Sequence, residues 1–248
     1  MAEKIKEAFP NITLEFLTKE TSGDIDLSTP LHQMPDPGVF TNDIREELLR
    51  NKADLAVHSW KDLPVELQHG TEIVTTLTRE DPRDLLIFKK DSIEKKIINI
   101  FTSSPRRKEN LANFLPEFLS WKLSKINFID IRGNIQTRIS KLFDSKEDGL
   151  VIALAAMKRL LSSPQFIEEE SLLLSFLKES KWMILPLSEN PAAPAQGALA
   201  VEIASDNHEL KSLIKKIGDE TTFDLVTKER EILKKYGGGC HQKIGVTR

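Results

Sequence analysis

Cys240, the single cysteine of the chain, follows three glycines, Gly237 to Gly239. Glycine ends helices and leaves the backbone unrestricted, so this context presents the thiol on a loop, where its thiolate is a nucleophile or an attachment point. A lone cysteine is more often a small buried hydrophobe, and the glycine run favours the accessible form. A second group lies in SWKDLP, where Ser59, Lys61 and Asp62 stand just past a short apolar run. A lysine and a carboxylate this close set each other's charge state, and Asp62 is suited to steady a cationic intermediate or to move protons. The alternative is a surface ion pair, which is worth little.

Two further motifs suit an anion. In TSSPRR, Thr102 to Arg107, Ser104 is placed as an N-cap and Pro105 as the first helical residue. Arg106 and Arg107 then fall in the first turn, where cations oppose the positive end of the helix dipole at about 0.3–1 kcal/mol each. The compensating gain is a bound anion, held by free backbone N–H groups, the hydroxyls of Ser103 and Ser104, and two guanidinium forks. RGNIQTR repeats the logic: Gly133 permits a tight turn, Asn134 can cap, and Arg132 and Arg138 flank the helix start. The competing reading of each motif is a basic helix start that faces solvent.

The elements that must position these groups are short apolar runs, each followed by a polar turn and a helical pattern. They are residues 54–58, 97–101, 126–131 and 149–154. Continuous apolar runs of this length between helices fit strands buried on both faces of a mostly parallel sheet, so the class is α/β. In such sheets ligands bind at the carboxyl ends of strands, where all four polar turns lie. EDPRD, Glu80 to Asp84, reads as a crossing from a first domain to a second, and the Pro- and Ala-rich ENPAAPAQG, Glu189 to Gly197, as the return. After it, ALAVEIA reads as another strand, and the chain is helical and charged from Leu210 to the glycine run.

Composition excludes several classes. With 40% hydrophobic and 29% charged residues and a net charge of −3, the chain reads as a globular protein, not as one that neutralises nucleic-acid phosphates. The charged amino terminus has no continuous apolar segment of the secretory kind, and the longest apolar stretch, Leu150 to Met157, is too short to span a bilayer. One cysteine forms no intrachain disulfide, which makes a reducing cytoplasm the expected compartment. The five histidines show no pair at metal-ligand spacing, so no metal site is expected.

In their order, DLAVHSWKDLPVE, EDPRD, TSSPRR, RGNIQTRISKL, DGLVIALAAMKRL, PAQGALAVE and ERE…GGGCHQKIGV resemble the successive signatures of the hydroxymethylbilane synthase (porphobilinogen deaminase) family. TSGD at Thr21 to Asp24 and GVFTNDIREELL at Gly38 to Leu49 resemble its earlier segments, so the likeness runs from Thr13 to Val246. It implies two domains similar to type-2 periplasmic binding proteins, with mostly parallel sheets, plus a small α+β third domain. The expected division is 1–79 with 196–215, then 80–195, then a partial third domain at 216–248.

The implied reaction is a transferase reaction that joins porphobilinogen units head to tail into the linear tetrapyrrole hydroxymethylbilane, releasing ammonia. By resemblance, Cys240 would hold a dipyrromethane cofactor by a thioether, and Asp62 would stabilise positive pyrrole nitrogens and assist proton transfer. Ser59, Lys61, Thr102, Ser103, Ser104, Arg106, Arg107, Arg132, Gly133 and Arg138 would hold acetate and propionate groups, each pyrrole carrying two carboxylates. Gln196 and Gly197 would line the hinge, and Phe40 would stand near the substrate pocket. A monomer is expected, with porphobilinogen as its partner and neither nucleic acid nor membrane.

The pattern also departs from the family. The family usually opens with a strand and a basic, serine-containing turn, and it continues well past the cysteine, so the chain is expected to be shortened at both ends. Pro105 replaces a usual leucine and Asn42 a usual lysine. The alternative function is a non-catalytic relative that only binds a small carboxylate-rich ligand.

Overall fold

The computed structural model describes residues 1–19, 21, 38, 41–67, 69–162, 167–238 and 243–246. In chain order, the described elements are α1 (Ala2–Ala8), α2 (Asn42–Leu49), β1 (Leu55–Ser59), a 3₁₀ turn (Trp60–Asp62), β2 (Thr71–Thr75), β3 (Asp84–Lys89), β4 (Ile97–Phe101) and α3 (Pro105–Phe118). There follow β5 (Lys125–Ile129), α4 (Ile135–Asp144), β6 (Gly149–Ala153), α5 (Leu154–Ser162), α6 (Ile167–Glu179), β7 (Ser180–Ile184), β8 (Leu199–Ala204), α7 (His208–Lys215) and α8 (Glu220–Lys235). The class is α/β.

The strands form two sheets, one of three strands ordered β1-β8-β2 and one of five ordered β5-β4-β6-β3-β7. In the larger sheet β4 runs parallel to β5 and β6, while β3 is antiparallel to both β6 and β7. Four of its strands therefore share one direction and β3 alone is reversed. In the smaller sheet β1 and β2 share a direction, with β8 antiparallel between them. The four apolar runs found in the sequence are β1, β4, β5 and β6, and ALAVEIA is β8. β2, β3 and β7 lie outside the strand-to-helix units because none of them leads directly into an α-helix.

Alternation along the strands explains the apolar runs. On β3 and β6, Leu85, Ile87, Leu150 and Ile152 pack on one side with Ile139 and Leu142 of α4 and Met157 of α5. Leu86, Phe88 and Val151 pack on the other with Leu111, Phe114 and Leu115 of α3. A strand covered on both faces has no position left for a polar side chain, which removes the two-residue polar alternation. The smaller sheet is covered by α8 through Val226 on one face, and by α1 and α7 through Ile5 and Ile214 on the other.

A buried carboxylate ties the smaller sheet together. Glu202 on β8 accepts from Arg45 Nε of α2 at 2.6 Å and from Thr71 of β2, and its Oε2 lies 2.9 Å from His58 Nε2 of β1. Burial would raise the Glu202 carboxyl pKa; hydrogen bonds from His58, Arg45 and Thr71 outweigh it and hold the group below its ordinary value.

The chain passes between the sheets twice, at residues 79–84 and 190–197, and the two crossovers run side by side. Glu80 N donates to Gly197 O at 3.2 Å. Arg79 Nε donates to Gln196 O at 2.8 Å, and Gln196 Nε2 to Pro82 O at 2.6 Å. Gly197 has φ +89°, and a Cβ there would stand 2.4 Å from Glu80 O. Alanine at this position meets both a strained backbone and a main-chain clash. Gly197→Ala is expected to destabilise the protein by about 1–3 kcal/mol, read as a lower urea midpoint at unchanged slope.

Candidate functional site

The polar turns after β1, β4 and β5 and the direct junction of β6 with α5 converge on the crossovers. Their centre is Asp84, the first residue of β3, whose side chain has no solvent exposure. Its Oδ1 accepts from Arg107 Nη2 at 2.6 Å and from Gln196 Nε2 at 2.8 Å. Its Oδ2 accepts from Arg106 Nη2 at 2.8 Å and from Asn190 Nδ2 at 2.9 Å. Burial would push the Asp84 pKa up, but the guanidinium groups of Arg107 and Arg106 and the hydrogen bonds hold it well below the carboxylate range.

TSSPRR folds as its residues require. Ser104 is the N-cap of α3, its hydroxyl accepting from Arg107 N at 3.4 Å, and Pro105 takes the first turn. The anion that compensates two cations at this helix start is the chain's own Asp84. Arg106 is fully engaged there: its Nη1 also donates to Pro191 O at 2.6 Å, and burial lowers its pKa against the pull of Asp84. Arg107 also donates from Nη1 to Val151 O at 3.1 Å, and its buried Nε has no hydrogen-bond partner. Thr102 is buried, with Oγ1 accepting from Ser104 N at 3.3 Å. Ser103 Oγ donates to Ile131 O and accepts from Ile131 N, each at 2.8 Å, so this hydroxyl joins the ends of β4 and β5.

RGNIQTR builds the next corner. Gly133 adopts φ +109°, and Asn134 caps α4 by accepting from Thr137 N at 2.8 Å. Arg138 Nε donates to Gly133 O at 2.7 Å, and Arg132 is buried beside it. Burial lowers the Arg138 pKa, Arg107 and Arg132 push it further down, and Asp62 opposes them. Arg138, Arg107, Arg132 and Asp62 thus share one electrostatic neighbourhood.

The opposite wall belongs to the smaller sheet. Ser59 is exposed at the end of β1, and Lys61 and Asp62 occupy the 3₁₀ turn after it. Lys61 Nζ donates to Gln196 Oε1 at 3.3 Å. Burial pushes the Lys61 pKa down and Asp62 pulls it up, with Arg107, Asp84 and Arg106 acting from across the gap. Ser59, Lys61, Gln196 and Gly197 face Ala153, Ala155, Ala156 and Arg159 across a narrow cleft of about 30 Å³. A more open hollow beside the end of α3 is lined by Glu117 and Glu189 and by no cation. That lining is acidic, whereas the cleft carries Lys61 and Arg159.

Two groups of this neighbourhood went unread in the sequence. Asp84 passed as part of a domain boundary, although an acid opening the apolar run DLLIF signals a buried, paired charge. Arg159, whose Nη2 donates to Gly197 O at 2.7 Å, passed as part of a helical pattern. Phe40 and Cys240 lie outside the described residues. Among the described residues, no group of three or more His, Cys, Asp or Glu side chains is placed to hold a metal ion.

A family model described as porphobilinogen deaminase, dipyromethane cofactor binding domain, matches residues 1–212. This chain belongs to the porphobilinogen deaminase family. It is 38% identical to a porphobilinogen deaminase of Caldicellulosiruptor saccharolyticus over 99% of this chain and 77% of that one. It is 35% identical to that of Syntrophomonas wolfei over 98% of this chain and 73% of the other. A probable amino-acid ABC transporter extracellular-binding protein from Bacillus subtilis aligns with 94% of this chain and 84% of its own, at 12% identity and a TM-score of 0.44. The matched family domain is one that binds a dipyrromethane cofactor, so the cation-rich neighbourhood of this porphobilinogen deaminase-family chain lies within the matched residues.

Removing the Asp84 charge leaves two buried guanidinium groups short of a counter-ion. Asp84→Asn is expected to cost about 3–5 kcal/mol at neutral pH, measured by urea denaturation. Because the folded-state pKa is depressed, the wild-type advantage is complete above the ordinary carboxylate range and is lost as pH falls towards the folded value. The gap between the two proteins therefore narrows in acid.

Proposed function

We propose that the chain joins porphobilinogen units head to tail, with release of ammonia, to give hydroxymethylbilane, on a dipyrromethane held by a thioether from Cys240. The observation that carries this reading is the charge arrangement: one half-buried carboxylate, Asp62, among Lys61, Arg107, Arg132 and Arg138. Each pyrrole brings two carboxylates, so a growing oligomer needs several donors around one acid. The donor set fits such a polyacid. Arg107 Nε is buried with no partner, and burial depresses the pKa of both Lys61 and Arg138, which an incoming carboxylate would reverse.

When bound, dipyrromethane supplies the pyrrole end to which the first unit is added. The chain's own residues bind and orient the substrate and handle its charge. Lys61, Arg132 and Arg138 hold acetate and propionate groups, with Arg107 donating from Nε and Ser59 adding a hydroxyl at the rim. Asp62 stands beside Lys61 on the 3₁₀ turn, and its carboxylate balances positive charge on a substrate pyrrole nitrogen and relays a proton as ammonia leaves. Arg106 keeps Arg107 and Asp84 in place instead of touching substrate. Thr102, Ser103 and Ser104 shape the start of α3, Gly133 the start of α4, and Gln196 and Gly197 the hinge. Phe40 is assigned to the substrate pocket, and Cys240 to attachment, on their positions in the family pattern; the relatives align over 98–99% of the chain.

We assign residues 1–79 and 196–215 to the part that presents Asp62, 80–195 to the arginine-rich part, and 216–248 to the part that leads to Cys240. The two sheets and the paired crossovers support that division. A soluble monomer in the cytoplasm remains the working assignment.

Intact-mass measurement of the purified chain is expected to show the added mass of a dipyrromethane, lost in Cys240→Ser. A bare polypeptide mass after incubation with porphobilinogen, together with reversible binding and no ammonia, would point to the non-catalytic relative instead. Asp62→Asn is expected to lower turnover by about 10²–10⁴-fold while circular dichroism stays unchanged; full turnover in that variant removes the role assigned to Asp62.

A further inference from the structure

The turn that presents Lys61 and Asp62 is a single 3₁₀ turn with no side-chain cap of its own. Its main chain is tied by Trp60 N to Ala198 O at 3.1 Å and by Leu63 N to Trp60 O at 3.2 Å. The remaining support comes from α8. Arg230, 9% exposed, donates from Nη1 to Trp60 O at 3.0 Å and from Nη2 to Leu63 O at 3.0 Å and Pro64 O at 2.6 Å. These three carbonyls bracket Lys61 and Asp62 on both sides. Buried carbonyls need donors, and a planar guanidinium fork fixes orientation as well as distance.

The preceding residue acts on the hinge. Glu229, with no exposure, accepts from Arg79 Nη1 at 2.7 Å and Nη2 at 3.0 Å and from Ala195 N at 2.9 Å. Consecutive residues of one helix thus grip both crossovers and the acid-bearing turn. From this geometry we infer that Arg230 is the positioning residue for Asp62. It touches no reacting atom; it fixes where the carboxylate stands relative to Lys61, Arg138 and the hinge. The inference rests on the role proposed above for Asp62.

Arg230→Lys in the full chain keeps the charge and loses the fork. Its cofactor loading by intact mass and its circular dichroism are expected to match wild type. Turnover per loaded chain falls by roughly 10- to 100-fold, the loss a misplaced catalytic group produces, while KM for porphobilinogen changes by less than kcat, since of the carboxylate-binding cations only Lys61 lies on the turn that Arg230 holds and Arg132 and Arg138 lie elsewhere. Arg230→Ala, as a second variant, regains part of its turnover with millimolar guanidinium chloride and not with sodium chloride.

Wild-type kcat in both variants, after correction for loading, overturns the inference. So does failure of both variants to yield folded protein with no recovery by guanidinium, which would mark Arg230 as a folding residue only. A wild-type chain without dipyrromethane, or a fully active Asp62→Asn, would instead defeat the functional reading and leave the Arg230 contacts unexplained by catalysis.

Discussion

A carboxylate with no access to water survives as an anion only if fixed positive charge and hydrogen bonds replace its hydration shell, and at Asp84 two guanidinium groups and two side-chain amides do so. Those four donors come from the start of α3 and from the return crossover, while Asp84 itself opens β3. One ion cluster therefore fixes the first turn of α3 against the hinge, with Arg107 held between Asp84 and Val151 O. Its worth lies less in net stability, since buried ion pairs often break even, than in the single arrangement it permits.

Around that cluster cations predominate among the described residues. Asp62 and Asp84 pull the Lys61 pKa up against Arg107 and Arg106, and Asp62 pulls the Arg138 pKa up against Arg107 and Arg132. Burial depresses the pKa of Lys61 and Arg138, and an added anion beside them would raise both. A polyacidic oligomer would relieve this electrostatic cost as it binds. The inner pair, Arg106 and Asp84, ties the start of α3 to the hinge; in the proposed function the outer cations give recognition.

Much of this was legible locally. Ser104, Pro105 and Asn134 announced their helix starts through capping chemistry, which depends on neighbours three residues away. β4, β5 and β6 announced themselves as apolar runs feeding helices. β3 did not, because its role as the reversed strand depends on β6 and β7, about sixty and ninety residues further along. The division of labour between Arg106 and Arg107 was equally hidden: two adjacent, identical side chains differ only in what the fold brings to each, Pro191 and Asn190 for one, Val151 and an unfilled Nε for the other.

The sequence by itself determined the α/β class, the order of the strand-to-helix turns and the set of residue types able to grip a polyacid, since these follow from periodicity, capping and charge within short windows. How Arg106 and Arg107 share Asp84 was decided by tertiary structure, as was the grip of Arg230 on the Asp62 turn from about 170 residues away. The reason is physical: the state and availability of a buried charge depend on dielectric and on partners within a few ångströms, and only the folded chain creates either.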